Sequence, residues 1–178
     1  MNDTVAVFAS ARRNGNTGKF IDWIGSELGI NIIDLSEKNI SPYDCEHKNL
    51  DDDFIPIMNE ILEYEKIIFS TPVYWYAASA QMKVFIDRTS DFLDLEELKD
   101  IGRRLRKKNG YVVCTSISSE ADSSFLNSFK DTFEYLGMNY GGHVHANCEN
   151  GYIPNEYVED VTQFLNLVKC TDHQFSNK

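Results

Sequence analysis

The chain has 178 residues, 42% hydrophobic and 25% charged, a balance that suits one folded domain (residues 1–178) and argues against disorder. A formal net charge of −11 disfavours nucleic acid or an anionic membrane surface as the main partner, because neutralising phosphates takes clustered cations. No apolar run approaches the ~18 residues of a membrane-spanning helix, and Met1-Asn2-Asp3 lacks the basic start of a signal peptide, so a cytoplasmic protein is expected.

In chain order, Thr4 to Ala9 is a short apolar run, a strand candidate, and it ends in the polar turn Ser10-Ala11-Arg12-Arg13-Asn14-Gly15-Asn16-Thr17. Phe20, Ile21, Trp23, Ile24 and Leu28 then recur at helical spacing. Ile30 to Leu35 is a second strand candidate, followed by a polar stretch broken at Pro42. Ile55, Met58, Ile61 and Leu62 mark a helix that tolerates Pro56 in its first turn, and Asp51-Asp52-Asp53 reads as charge favoured by that helix start.

Lys66 to Ser70 is apolar without alternation, as a strand covered on both faces should be, and Thr71-Pro72 is expected to end it. A helix from about Ser79 to Phe92 follows, then a charged segment with Leu95, Leu98, Ile101 and Leu105 at helical spacing. Tyr111 to Thr115 is the next strand; Phe125, Phe129, Phe133 and Leu136 stripe a helix that Gly137 stops. A last strand near Asn139 to Ala146 and a closing helix on Val158, Val161, Phe164, Leu165 and Val168 complete five strand–helix units. Such alternation implies right-handed crossovers: an α/β three-layer sandwich with a five-stranded parallel sheet in the order 2-1-3-4-5.

The four cysteines, at 45, 114, 148 and 170, form no CxxC pair, so neither a structural zinc site nor an iron–sulfur cluster is expected. His143 and His145 alternate on the last strand, where hydrogen bonding is a commoner fate than metal ligation. No metal is expected.

An open parallel sheet binds its ligand outside the carboxyl ends of its strands, at the switch in strand order. Three loops meet there. Ser10 to Thr17 opens directly into a helix, whose free N–H groups and partial positive charge suit a phosphate, and Gly15 permits a close turn; taken alone, the loop fits a capped helix with a solvated Arg pair equally well. Pro72-Val73-Tyr74-Trp75-Tyr76 sets three consecutive aromatics after a buried strand, a shelf suited to a flat ring. Thr115-Ser116-Ile117-Ser118-Ser119-Glu120 is rich in hydroxyls and backbone donors.

Ser10–Thr17 resembles the phosphate loop of the NADPH-dependent FMN reductase and flavodoxin-like oxidoreductase family, and the segment from Pro72 to Arg88 is similar to that family's second signature. The resemblance implies a flavodoxin-like fold with Ser10, Arg12, Asn14, Asn16 and Thr17 around an FMN phosphate and Pro72, Val73, Tyr74 and Trp75 against the ring. Thr115, Ser116 and Ile117 would meet the flavin's polar edge, although the loop lacks the glycine pair common among relatives. Lys83, Asp87 and Arg88 are read as structural. The implied activity is a reductase taking hydride from NADPH or NADH and passing electrons to a quinone, flavin or nitro compound, with no catalytic side chain required. A homodimer is implied too. An electron carrier reduced by a partner protein, and a flavin-free interaction protein on the same fold, are the rival readings.

Overall fold

The computed structural model describes residues 2–170. Strands β1 (Thr4–Phe8), β2 (Asn31–Asp34), β3 (Lys66–Tyr74), β5 (Asn109–Ser116) and β6 (Asn139–Asn147) form a parallel sheet in the order β2-β1-β3-β5-β6, with the short β4 (Ala77–Ala78) folded antiparallel onto the end of β3. Without β4, this is the expected five-stranded order, and the fold is flavodoxin-like.

Every residue of β1 is buried, since a central parallel strand is covered on both faces and alternation sorts its side chains between two cores. Val5, Val7, Ile67, Phe69, Val112 and Cys114 point to one face, under α2 (Phe54–Ile61), α3 (Ala80–Asp87) and α6 (Ser123–Tyr135). Ala6, Phe8, Ile68, Tyr111 and Val113 point to the other, under α1 (Asn16–Leu28) and α7 (Val158–Cys170). Gly137, at φ +75°, closes α6 as expected: the residue after it returns its N–H to Phe133 O at 2.8 Å.

The structure corrects two boundaries. The helix expected from Ser79 to Phe92 is broken: α3 ends at Asp87, a 3₁₀ turn follows, and α4 (Asp91–Asp94) continues, with α5 (Lys99–Arg103) beyond it. The cause is Arg88. Its guanidinium is fully buried, ion-paired with Asp52, 2.7 Å from Asp91, bonded to the carbonyls of Ser41 and Asn49, and laid over the Phe54 ring at 4.8 Å. The polar stretch before α2 is thereby stapled to the body. Asp52 caps α2 through Phe54 N at 2.9 Å while it pairs with Arg88, so it does more than favour the helix dipole. Lys83 and Asp87 pair at 2.6 Å along α3, a structural contact as expected.

The second boundary is the end of β3. The strand runs through Thr71 and Pro72 to Tyr74, pairing Pro72 with Thr115. Ser70 gives its carbonyl to Ala9 N on the β1 side, so two residues on, the missing Pro72 N–H faces the space where β1 has ended. The strand therefore loses no ladder bond.

Candidate flavin site

At the carboxyl edge of the sheet the three loops enclose a cleft of about 790 Å³, within the usual range of small-molecule sites. Ser10, Arg12, Asn16, Thr17, Pro72, Val73, Tyr74, Trp75, Thr115, Ser116 and Ile117 all line it. Asn14 does not: Gly15 N returns to Arg12 O at 3.2 Å, and this turn leaves Asn14 exposed outside the cleft. Gly15, Tyr76, Ser118, Asp122 and Cys148 complete the lining.

Two helix heads reach the cleft, and they differ electrostatically. The head of α6 is closed by Asp122, whose carboxylate accepts from Ser124 N at 2.9 Å and Phe125 N at 3.3 Å. Those bonds, with that from the Ser124 hydroxyl foremost, hold Asp122 below the usual carboxylate range. The head of α1 is open: its cap residue is Gly15, no side chain accepts from its first turn, and that turn holds no acidic residue. Unsatisfied N–H groups and the positive end of the dipole thus face the cleft beside the hydroxyls of Ser10 and Thr17. Arg12 is the one cation of the lining among the described residues.

Arg13 takes a different place. Its guanidinium grips Asp22 at 3.0 Å and Asp34 at 3.4 Å and lies over the Phe8 ring at 5.0 Å, so it ties the loop down outside the cleft. The hydrogen bond to Asp22 raises its pKa further above the ordinary arginine value. The loop then passes so close to α1 that a Cβ on Gly18 would lie 1.7 Å from Arg13 O. Only glycine fits there.

The aromatic segment is a hairpin rather than an open loop. Trp75 and Tyr76, both at positive φ (50° and 64°), turn β3 back into β4. This two-residue turn ordinarily selects Asn-Gly; two large side chains in the left-handed region cost on the order of 1–2 kcal/mol each. Backbone strain of this kind concentrates at functional sites. Tyr74, Trp75, Tyr76 and, across the cleft, Ile117 are 49%, 94%, 69% and 75% exposed, an apolar rim on an otherwise charged protein.

Two buried contacts join the loops. Thr17 and Thr115 hydroxyls meet at 2.6 Å, and Ser79 Oγ donates to Ala9 O at 2.9 Å, accepts from Thr71 Oγ1 at 3.1 Å and caps α3. Ser79 was not singled out by sequence. Its signal, a serine opening a helix, does not reveal a partner 70 residues away. Cys148 adds a thiol to the cleft wall, and burial pushes its pKa up to about 11, so it stays protonated.

FMN fits what the chain offers: an open helix head with two hydroxyls and an arginine for a phosphate, an aromatic hairpin for a flat ring, and room between them. Residues 3–152 match the family described as NADPH-dependent FMN reductase.

The chain belongs to that family.

It is 27% identical over 143 residues to YwqN of Bacillus subtilis (strain 168), named as an NAD(P)H-dependent FMN-containing oxidoreductase; the match covers 67% of this chain and 79% of the other. In fold it is similar to the Trp repressor binding protein from Bacillus subtilis (TM-score 0.71, 24% identity, 94% of this chain and 99% of that one). It is similar also to an FMN-dependent NADH-azoreductase from Bacillus anthracis str. Ames Ancestor, solved in complex with FMN (TM-score 0.64, 13% identity, 94% and 97%). Like the family, the chain is an FMN-dependent oxidoreductase. No helix among the described residues is long and apolar enough to cross a membrane.

Proposed function

We propose that this FMN reductase takes hydride from NADPH or NADH in the cleft and passes electrons to a flat, electron-poor acceptor: a quinone, a free flavin or a nitro compound. The open head of α1 beside the strained aromatic hairpin carries the reading. FMN, when bound, supplies the electron chemistry, and the chain binds and orients. Ser10, Arg12, Asn16, Thr17 and the first N–H groups of α1 hold the phosphate, and Thr17 is itself held by Thr115. Pro72, Val73, Tyr74 and Trp75 support the ring, with the Thr115–Ile117 backbone at its polar edge. The described lining offers no cysteine thiolate or histidine to act as a nucleophile or base, and this chemistry needs none.

The exposed rim of Trp75, Tyr76 and Ile117 is best covered by a second copy, which would complete the cleft as a homodimer in the cytoplasm. FMN-loaded protein, mixed anaerobically with NADPH or NADH, should lose its visible flavin absorbance and regain it when a quinone is added. An FMN-loaded protein bleached by neither nucleotide would refute the reductase reading.

A further inference from the structure

The third loop has no glycine to shape it, and its geometry comes from β6. Val144 and Ala146 are buried under α1 and α7, so His143 and His145 point from β6 to the opposite face. There they separate. His143 Nδ1 meets the Tyr140 hydroxyl at 3.0 Å, whereas His145 Nε2 lies 2.8 Å from Ser116 Oγ. Ser116 Oγ also accepts the N–H of Ser118 at 3.1 Å, and Ser116 O accepts the N–H of Cys148 at 2.6 Å. Ser116 is thus gripped at its carbonyl and its hydroxyl, both times from β6 or its end. His145 is half-buried and absent from the cleft lining, whereas Ser116, Ile117 and Ser118 all line it.

We propose that His145 is a positioning residue for the flavin-facing loop 116–118, acting through the Ser116 hydroxyl. The inference rests on the FMN reading of the cleft. Ser116 Oγ accepts the Ser118 N–H; in the arrangement proposed, its own proton goes to His145 Nε2, 2.8 Å away, and the neutral ring carries its proton on Nδ1. Burial, then the charge of His143, hold the His145 pKa below the ordinary histidine value, which keeps that tautomer at neutral pH. In acid the ring gains a proton on Nε2 and becomes a donor. The serine hydroxyl must then accept from both His145 Nε2 and the Ser118 N–H and turn its own proton elsewhere, a rearrangement that weakens its hold on Ser118. The titratable groups around this contact are His143 on the same face, Cys114 at the pairing position on β5, and Tyr140 and Lys130 beyond His143. Glu120 and Asp122 follow in the braced loop.

The test is FMN affinity, read by quenching of flavin fluorescence from about pH 8 to about pH 5.5 across the ordinary histidine range, with Ser118 amide exchange measured in the FMN-free protein. At the alkaline end H145A and S116A should each weaken binding about tenfold, and the double variant no further, as expected of one shared contact. H145Q, whose amide oxygen accepts the serine proton without titrating, should bind like wild type there and lose less affinity in acid than wild type does, the titration of the FMN phosphate at about pH 6 being common to both. H143Q should keep that acid limb. Ser118 exchange should quicken in H145A; if H145A does not fold, the pH profiles of H145Q and H143Q carry the test. The proposal is overturned by wild-type affinity and slow Ser118 exchange in H145A, by additive losses in the double variant, or by an acid limb as deep in H145Q as in wild type. A wild-type protein that binds no FMN at any pH would instead strike the reading of the cleft, and Ser118 exchange would still decide whether His145 braces the loop.

Discussion

Replacing Gly18 with alanine places a methyl carbon 1.7 Å from Arg13 O, whereas real Cβ contacts essentially never fall under 3.0 Å. The obstructing atom is backbone. It belongs to a turn pinned on both sides, by Arg13 on Asp22 and Asp34 and by Gly15 N on Arg12 O, so the loop must retreat by more than an ångström. Overpacking of this kind costs about 1–3 kcal/mol, against a gain of about 1 kcal/mol from better helix propensity, for a net loss of about 0–2 kcal/mol. The larger effect falls on the anion seat. A loop lifted off the head of α1 moves Ser10 and Arg12 away from the N–H groups they complement, and FMN affinity should fall by roughly tenfold or more, a little over 1.4 kcal/mol. Gly25→Ala is the control on the same helix: its Cβ meets side chains alone, the flexible end of Ile32 at 2.9 Å being the nearest, and Gly25 does not line the cleft, so it should leave FMN affinity unchanged. Thermal unfolding of the FMN-free proteins and fluorescence titration with FMN measure the two effects. A G18A protein with wild-type affinity, or a G25A protein that loses as much, would refute the reasoning.

Three further perturbations follow from the same geometry. Changing Trp75 to Asn and Tyr76 to Gly gives the hairpin the residues its turn prefers, so the FMN-free protein should gain on the order of 2–4 kcal/mol in denaturant unfolding while FMN binding weakens; a variant that loses stability would show that the aromatics do not strain the turn. Arg88→Ala leaves Asp52 and Asp91 buried without their cation and should cost about 3–5 kcal/mol in the same assay, and a loss below about 1 kcal/mol would contradict the staple. His145 has its pKa lowered in the folded state, so the unfolded chain binds the proton first as pH falls below the ordinary histidine value of 6.5. Unfolding free energy should therefore decline from neutral pH into that range and flatten below the folded pKa, with a shallower decline in H145Q; an unchanged slope in H145Q would assign the proton elsewhere.

Much of the fold was legible because the buried strands are unbroken apolar runs and the helices carry their stripes at regular spacing. Phe125, Phe129 and Phe133 do pack as a row under the sheet, and the phosphate and aromatic loops do meet at the switch between β1 and β3. What periodicity could not show was pairing at a distance. Arg88 and Asp52 are 36 residues apart and Ser116 and His145 are 29 apart, and each looks unremarkable in its own segment. Pro72 misled for a local reason: proline usually ends a strand, and only the earlier end of β1 makes its missing N–H harmless. Asn14 shares the composition of a phosphate loop but sits outside the cleft, a matter of backbone direction that residue type does not encode.

The most direct trial of the central claim is a crystal structure of the protein soaked in FMN. The phosphorus atom should sit at the head of α1, among Ser10, Arg12 and Thr17, with the ring lying along Tyr74 and Trp75. A phosphate bound at any other place, or a ring turned away from the hairpin, would contradict it.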